Sequence, residues 1–524
     1  MESHTGGTTP TLRYSNNSNN NMEHDAHHIL SNQGSNNNTT FDSDGIDSNT
    51  ISNSTNSDLH ITASSTLTPS LSTGSVSPSP SVKESMISLE TEHFRNYVKH
   101  DKYMILHKII YFIGMGANAS IYPFIVIRWR TLGLTDLQAG SIMAIAHIGN
   151  LALSPLIGSF ADRSENHRKG VLLGGFLAAS IFGYLLAYAF DYWTSLFLYL
   201  AMDTCVTNVW PIMDSSVYAI LESTSGHTEG YGANRAFGAA GWGIWAWISG
   251  SIFDTYGLDK MFLTFLLGLL PVLPLVYRLP VEKRKATKKS ASNAWKRIAT
   301  VDVFIFVIVV YITAILLCIC DIYRSPYLAE MGASNELLGF SITATSISEF
   351  PFFFVATWVL KRVSIPIVLL SVLLAYAVRF WYYSIITNPW LTIPAELLHG
   401  VQFALGWAAS TNYVAQLLPP ELSSTAQALL ASVQWGLGSS TGALLGGALM
   451  DEYGGRNMFR SGAVLALIGS AIMGMSIYRK YRINQLQYIK HAVQLEEEQD
   501  DKIINEVNND VENNRNHKIS KDDE

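Results

Sequence analysis

Between Tyr103 and Tyr478 the chain returns repeatedly to apolar stretches about as long as a bilayer is thick. Twelve can be counted: 103–127, 137–161, 170–190, 194–221, 233–253, 259–279, 301–323, 337–360, 364–386, 390–417, 423–450 and 457–478. An α-helix needs about 20 residues to cross roughly 30 Å of hydrocarbon, and each stretch is near or above that length. In lipid, backbone N–H and C=O groups must be bonded inside their own segment, so such stretches become helices. The chain is therefore predicted to be an all-α polytopic membrane protein with twelve transmembrane helices. Only 15% of its residues are charged, against about 25% for a soluble domain.

The flanks read differently. Residues 1–101 are rich in Asn, Ser and Thr and cannot bury enough apolar surface to order themselves, which predicts a disordered cytosolic tail. Residues 479–524 form a charged cytosolic tail, and 280–300 a basic cytosolic linker. Lys and Arg at the span ends number eighteen on the side of the N-terminal flank and six on the other. That bias predicts both termini in the cytosol and an even number of spans.

An internal echo supports a division into two. "DTYGLDKMF" (254–262) and "DEYGGRNMF" (451–459) share Asp, Tyr, Gly, Met and Phe at identical spacing. Each copy begins where the fifth span of its half ends. Two six-helix bundles are expected, at 102–279 and 301–478, related by a parallel repeat.

Charge inside a span is costly, about 2.5–3.5 kcal/mol at mid-bilayer on insertion scales, and asks for a partner or a watery cavity. The first half offers Lys108, His147, Asp203, Asp214 and Arg235. The second offers Asp321, Arg324, Glu349, Arg379, Glu396 and His399. Lys108 and Arg324 read as snorkelling or structural pairing near helix ends. His147 alone reads as a packed or hydrogen-bonded histidine.

Arg235 opens the fifth span, "YGANRAFGAAGWGIW". Positions i, i+4 and i+7 share a helix face, which aligns Arg235, Ala239 and Trp242. Forked guanidinium donors, a small gap and a flat indole could together hold a hydroxyl-bearing ligand. The same stripe also fits an arginine that anchors the helix and a tryptophan that packs. Gly238 and Gly241 beside it permit close helix approach.

"SPLIGSFADRSENHRKGVLL" (154–173) resembles the loop between helices 2 and 3 of the major facilitator superfamily, Gly-x-x-x-Asp-Arg followed by a basic pair. Here those residues are Gly158, Asp162, Arg163, Arg168 and Lys169, and the resemblance implies a gating loop on the cytoplasmic side. "GANRAFGAAGW" resembles helix 5 of the branch that holds lactose permease, the nucleoside:proton symporters and the major facilitator domain-containing 6-like proteins. The resemblance spans roughly residues 103–478 and implies the major facilitator fold. It also implies that Arg235 and Trp242 hold and stack a sugar, with Asp214 ("PIMD") as the helix-4 acid and Asp321 as a helix-7 acid. Arg379 falls on a helix-9 arginine and His399 on a helix-10 histidine ("LLHGVQ"). The coupling glutamate of helix 10 is Gln402 here, and Glu396, one turn before His399, lies on nearly the same face.

The expected function is secondary transport of a small polar solute, a sugar or nucleoside first, by alternating access. Asp214, Arg235, Trp242 and Asp321 are the expected solute ligands, and Glu349, Arg379, Glu396 and His399 the expected proton-handling groups. An uncoupled facilitator and a non-transporting receptor or sensor of the same fold are the alternatives. An enzyme is not expected: no nucleophile is paired with a base, and there is no phosphate loop. Cys205, Cys318 and Cys320 have no metal-like spacing, so neither metal nor cofactor is expected. Partners would be the solute, a proton and the lipid bilayer, without nucleic acid, around a monomer in the plasma or an endolysosomal membrane.

Overall fold

In the computed structural model, residues 104–225, 231–279, 300–417 and 423–522 are described. The N-terminal tail and most of the 280–300 linker lie outside them. The described chain is almost entirely helical. We label its helices α1 (104–131), α2 (Asp136–Ala161), α3 (Glu165–Tyr188), α4 (Tyr192–Ser225), α5 (Tyr231–Tyr256) and α6 (Lys260–Arg278). α7 is Val301–Glu330, α8 Asn335–Arg362, α9 Ile365–Ile385, α10 392–417, α11 423–453 and α12 455–522.

By length and composition, eight helical stretches among the described residues could cross a membrane. The last of them runs on across Gly454, whose φ of 74° breaks the helix and divides α11 from α12. A positive φ is nearly strain-free only for glycine. The other expected spans are helical with local reasons for falling outside the eight. α1 unwinds into a turn at 119–124, where Pro123 removes a donor. α10 passes through a π-helical turn at Gly400–Leu405. α5 draws its bulk from Gly, Ala and Trp, which are only weakly hydropathic. Large apolar side chains such as Leu156, Phe197, Phe354 and Trp381 face outward, as a lipid-bathed surface requires.

The echoed sequences meet the rest of the fold in the same way. Asp254, at the end of α5, accepts hydrogen bonds from the backbone N–H groups of Asn335 and Glu336, which open α8 (both 2.8 Å). Asp451, at the end of α11, accepts from Asp136 and Leu137, which open α2 (2.9 and 2.8 Å). Each recipient helix also has its own cap, Ser334 on Leu337 N–H and Thr135 on Gln138 N–H. Local cap and foreign carboxylate together satisfy the first three free donors of both helices.

The match continues down the helices. A Cβ on Gly339 would come within 2.2 Å of the Ala246 carbonyl oxygen, and one on Gly140 within 2.2 Å of the Ala443 carbonyl oxygen. Ala246 and Ala443 both stand eight residues before their aspartate, and Gly339 and Gly140 both stand four after the first capped residue. The repeat therefore encodes two equivalent helix crossings, α5 on α8 and α11 on α2, in one register.

Beyond Tyr478, where a tail was expected, α12 continues as helix to Asp522, and its described side chains from Arg479 on are almost all exposed. The structure thus gives this segment a helical form that its composition alone did not indicate.

Candidate functional site

Two polar clusters interrupt the apolar interior. In the first half, the Tyr111 hydroxyl of α1 donates to Asp214 Oδ1 of α4. Tyr231 also hydrogen-bonds Asp214. The Arg235 guanidinium lies 5.7 Å from the centroid of the Tyr111 ring, a cation–π arrangement, and reaches Met115 Sδ. Arg235 and Asp214 are electrostatic neighbours, but among the described residues no ion pair joins them. Tyr111 stands between them as an aromatic bridge, its hydroxyl on Asp214 and its ring beside Arg235. Both charged side chains are half-buried, so the group is open on one side.

Trp242 stands two turns further along α5. Its ring is 6.2 Å from that of Tyr122, which sits in the unwound turn of α1, and it packs against Ala119, Ala246 and Ile342. Gly241 carries α1 close: a Cβ there would fall 2.1 Å from the Phe112 carbonyl oxygen. The stripe of Arg235 and Trp242 thus faces α1, with Trp242 wedged toward α8.

The second half gathers five of the predicted residues. Glu396 is fully buried. Arg379 and Arg324 both pair with its Oε2, Arg324 at 3.0 Å, while Tyr383 and Thr392 donate to Oε1 at 2.6 and 3.0 Å. A buried carboxylate with two arginines and two hydroxyls has its charge and lone pairs fully answered. Arg324, expected to snorkel or to pair structurally, is a structural ion pair of the interior. Lys108, expected likewise, is half-buried with its ammonium 5.5 Å from the Phe237 ring centroid.

Arg379 continues the network. Its Nη1 donates to Gln402 Oε1 at 2.6 Å and to His399 Nδ1 at 3.2 Å. A guanidinium only donates, so this contact uses the lone pair of His399 Nδ1. Nε2 in turn lies 3.0 Å from Glu349 Oε1. His399 thus stands between two charged groups, with Arg379 on one ring nitrogen and Glu349 on the other. The π-helical turn that begins at Gly400 helps present these groups, and Ser348 of α8 accepts its first N–H at 3.0 Å. Asp321 lies mid-way along α7 within electrostatic reach of His399, Arg324, Arg379 and Glu349, yet its side chain is accessible. It belongs with these charges rather than with Arg235.

The α2–α3 loop residues sit in a third place. Arg168 is 3.8 Å from Asp162 and donates to Ser215 of α4; Lys169 lies 5.1 Å from the Tyr277 ring of α6, and Arg163 lies 5.4 Å from the Phe160 ring. Gly158 has open space beside it. This loop ties α2, α3, α4 and α6 together at one end.

Sequence reasoning missed Tyr111, Tyr122, Tyr231, Tyr383 and Thr392. All are ordinary residues in apolar helices, and only their spacing to a charge on another helix marks them.

Helices with buried, cross-linked charges and an outward apolar coat, crossing in two equivalent pairs, define a polytopic membrane transporter of the major facilitator type. Residues 104–461 match the MFS_1 like family, and the chain belongs to that family. It is 24% identical to the maltose permease of Geobacillus stearothermophilus over 355 residues, covering 66% of this chain and 87% of that protein. It is 25% identical over 124 residues to major facilitator superfamily domain-containing protein 6-like protein B of Xenopus laevis, a match to a fifth of that protein (20%) and 24% of this chain. Its fold superposes on the crystal structure of the nucleoside transporter NupG with a TM-score of 0.61 and 16% identity, over 71% of this chain and 98% of that one.

Proposed function

We propose that the protein moves a small, hydroxyl-rich solute, a sugar or nucleoside, across the membrane by alternating access, in symport with a proton. The observation that carries this reading is the Asp214–Tyr111–Arg235 group with Trp242 two turns beyond it. It offers a carboxylate, a guanidinium and an indole face on adjoining helices, half-buried and open to one side. Hydroxyl donors and acceptors of a solute would replace Tyr111 between Asp214 and Arg235, and its apolar face would lie on Trp242. The family and the maltose permease relative support a solute of this class.

In the second half, Glu349 and His399 form the titratable pair. A proton arriving at His399 would break its contact with Arg379 Nη1, while Nη2 stays on Glu396. Glu396, held by two arginines, keeps Arg379 and Arg324 in place rather than titrating. With the N-terminal flank in the cytosol, the Asp254 and Asp451 contacts would close the outer end, and the α2–α3 loop would gate the cytosolic end.

The test is counterflow of labelled maltose and uridine in vesicles holding the purified protein. Exchange is expected in the wild type and is abolished by Arg235→Ala. Unchanged exchange in that variant rejects the solute site. A second reading, an uncoupled facilitator, rests on Gln402: it accepts a bond from Arg379 where the resemblance places a glutamate, and an amide cannot carry a proton. Solute uptake without alkalinisation of the external medium would establish that reading.

A further inference from the structure

A third polar group lies apart from both clusters. Asp203 of α4 is buried, with 4% of its surface accessible, and no lysine or arginine among the described residues pairs with it. Its Oδ1 accepts from the Tyr122 hydroxyl at 2.5 Å and its Oδ2 from Asn150 Nδ2 of α2 at 2.7 Å. His147, one turn before Asn150 on α2, lies within electrostatic reach of it, and Tyr199, one turn earlier on α4, and Tyr122 are titratable groups beside it. Asn150 Nδ2 also reaches Thr207 Oγ1 at 3.4 Å, one turn beyond Asp203, and Thr207 is exposed. The Asn150 Oδ1 atom is buried without a hydrogen-bond partner.

The contrast with Glu396 decides what such a carboxyl can do. Glu396 has two arginines and stays ionised. Asp203 has two neutral donors and a histidine that is itself half-buried. Ionising a carboxyl in a low-dielectric interior is unfavourable unless a cation answers it. Here only a protonated His147 could do so, and otherwise the carboxyl takes the proton itself. The pair can thus hold one exchangeable proton in either of two places.

The site also touches the proposed solute face. Tyr122 donates to Asp203 through its hydroxyl and packs its ring 6.2 Å from Trp242. A ligand that presses on Trp242 acts on the ring whose hydroxyl stabilises the ionised Asp203. We propose that Asp203, with His147, is a proton-binding site of the first half, linked to solute binding through Tyr122 and Trp242. The linkage rests on the transport reading above; the proton site does not.

Infrared titration of the purified full-length protein in lipid nanodiscs tests the site without knowledge of the solute. The wild type is expected to show a buried protonated carboxyl that titrates and is missing in Asp203→Asn. Tyr122→Phe, which removes only the donor to the ionised form, is expected to move that titration upward by about one pH unit, a tenfold gain in proton affinity. An identical carboxyl band in wild type and Asp203→Asn overturns the proposal, and an unmoved midpoint in Tyr122→Phe overturns the linkage. In vesicles, Asp203→Asn is expected to keep maltose counterflow while lowering the alkalinisation per maltose moved, the share carried by His399 and Glu349 remaining. Alkalinisation at the wild-type ratio, or dependence on sodium ion in place of pH, overturns it. Absence of maltose counterflow in the wild type would count against the solute reading alone, since the infrared titration stands apart from it.

Discussion

Arg379 has no accessible surface, and its guanidinium serves Glu396, Gln402 and His399 at once. Among the described residues, Arg324 pairs with Glu396 alone. Removing one partner of a buried ion pair costs about 3–5 kcal/mol, because the other charge is left uncompensated. Arg379→Gln is therefore expected to lower the melting temperature of the detergent-solubilised protein more than Arg324→Gln. Glu396→Gln in a background carrying both Arg324→Gln and Arg379→Gln is expected to recover part of the loss, since it removes the stranded carboxylate. Melting followed by tryptophan fluorescence measures all three, and a neutral Arg379→Gln would reject the network as a structural element. The charges themselves were legible in the sequence, because an ionised residue in an apolar run is conspicuous. Their hydroxyl partners were not: tyrosine, with an apolar ring and a polar tip, is as common in a plain helix as at a site. Nor could the sequence say that Tyr111 would stand between Asp214 and Arg235, since periodicity gives the face of one helix but not its rotation against another.

At the scale of elements, the two aspartate contacts make a specific claim. Each carboxylate satisfies two backbone donors on a helix of the other half, and loss of a cap costs about 0.5–2 kcal/mol. Asp254→Ala and Asp451→Ala together are expected to favour separation of α5 from α8 and α2 from α11 at that end. Ala443, fully buried against Gly140, reports it: in a background without Cys205, Cys318 and Cys320, Ala443→Cys should react several-fold faster with a water-soluble maleimide once both aspartates are gone. Equal labelling rates would show that the aspartates do not hold this end closed. A second variant, Gly339→Val, is expected to raise the same labelling, because its side chain collides with the Ala246 backbone and drives α8 away. The echo itself was visible in the sequence. Its meaning was not, because the capped residues lie 81 to 315 positions away.

For the molecule as a whole, the helix that continues past Tyr478 is expected to contribute little to stability, since its described side chains beyond Arg479 are exposed and bury little apolar surface. Removal of residues 483–522 should leave the melting temperature and solute exchange unchanged. A drop of more than a few degrees in the same melting assay would mean that this helix packs on the transport body. The sequence alone determined that the chain lives in a bilayer as bundled helices, that it repeats one segment at matched helix ends, and which ionisable residues stand in the wrong solvent. Those conclusions follow from local composition and period, which every helix carries by itself. Tertiary structure decided which charges meet. It placed Asp321 with the second-half cluster, set Tyr111 between Asp214 and Arg235, and left Asp203 without an arginine. The reason is geometric: close backbone crossings such as Gly140 on Ala443 and Gly339 on Ala246 set each helix's depth and rotation, and a shift of one residue turns a side chain by about 100°.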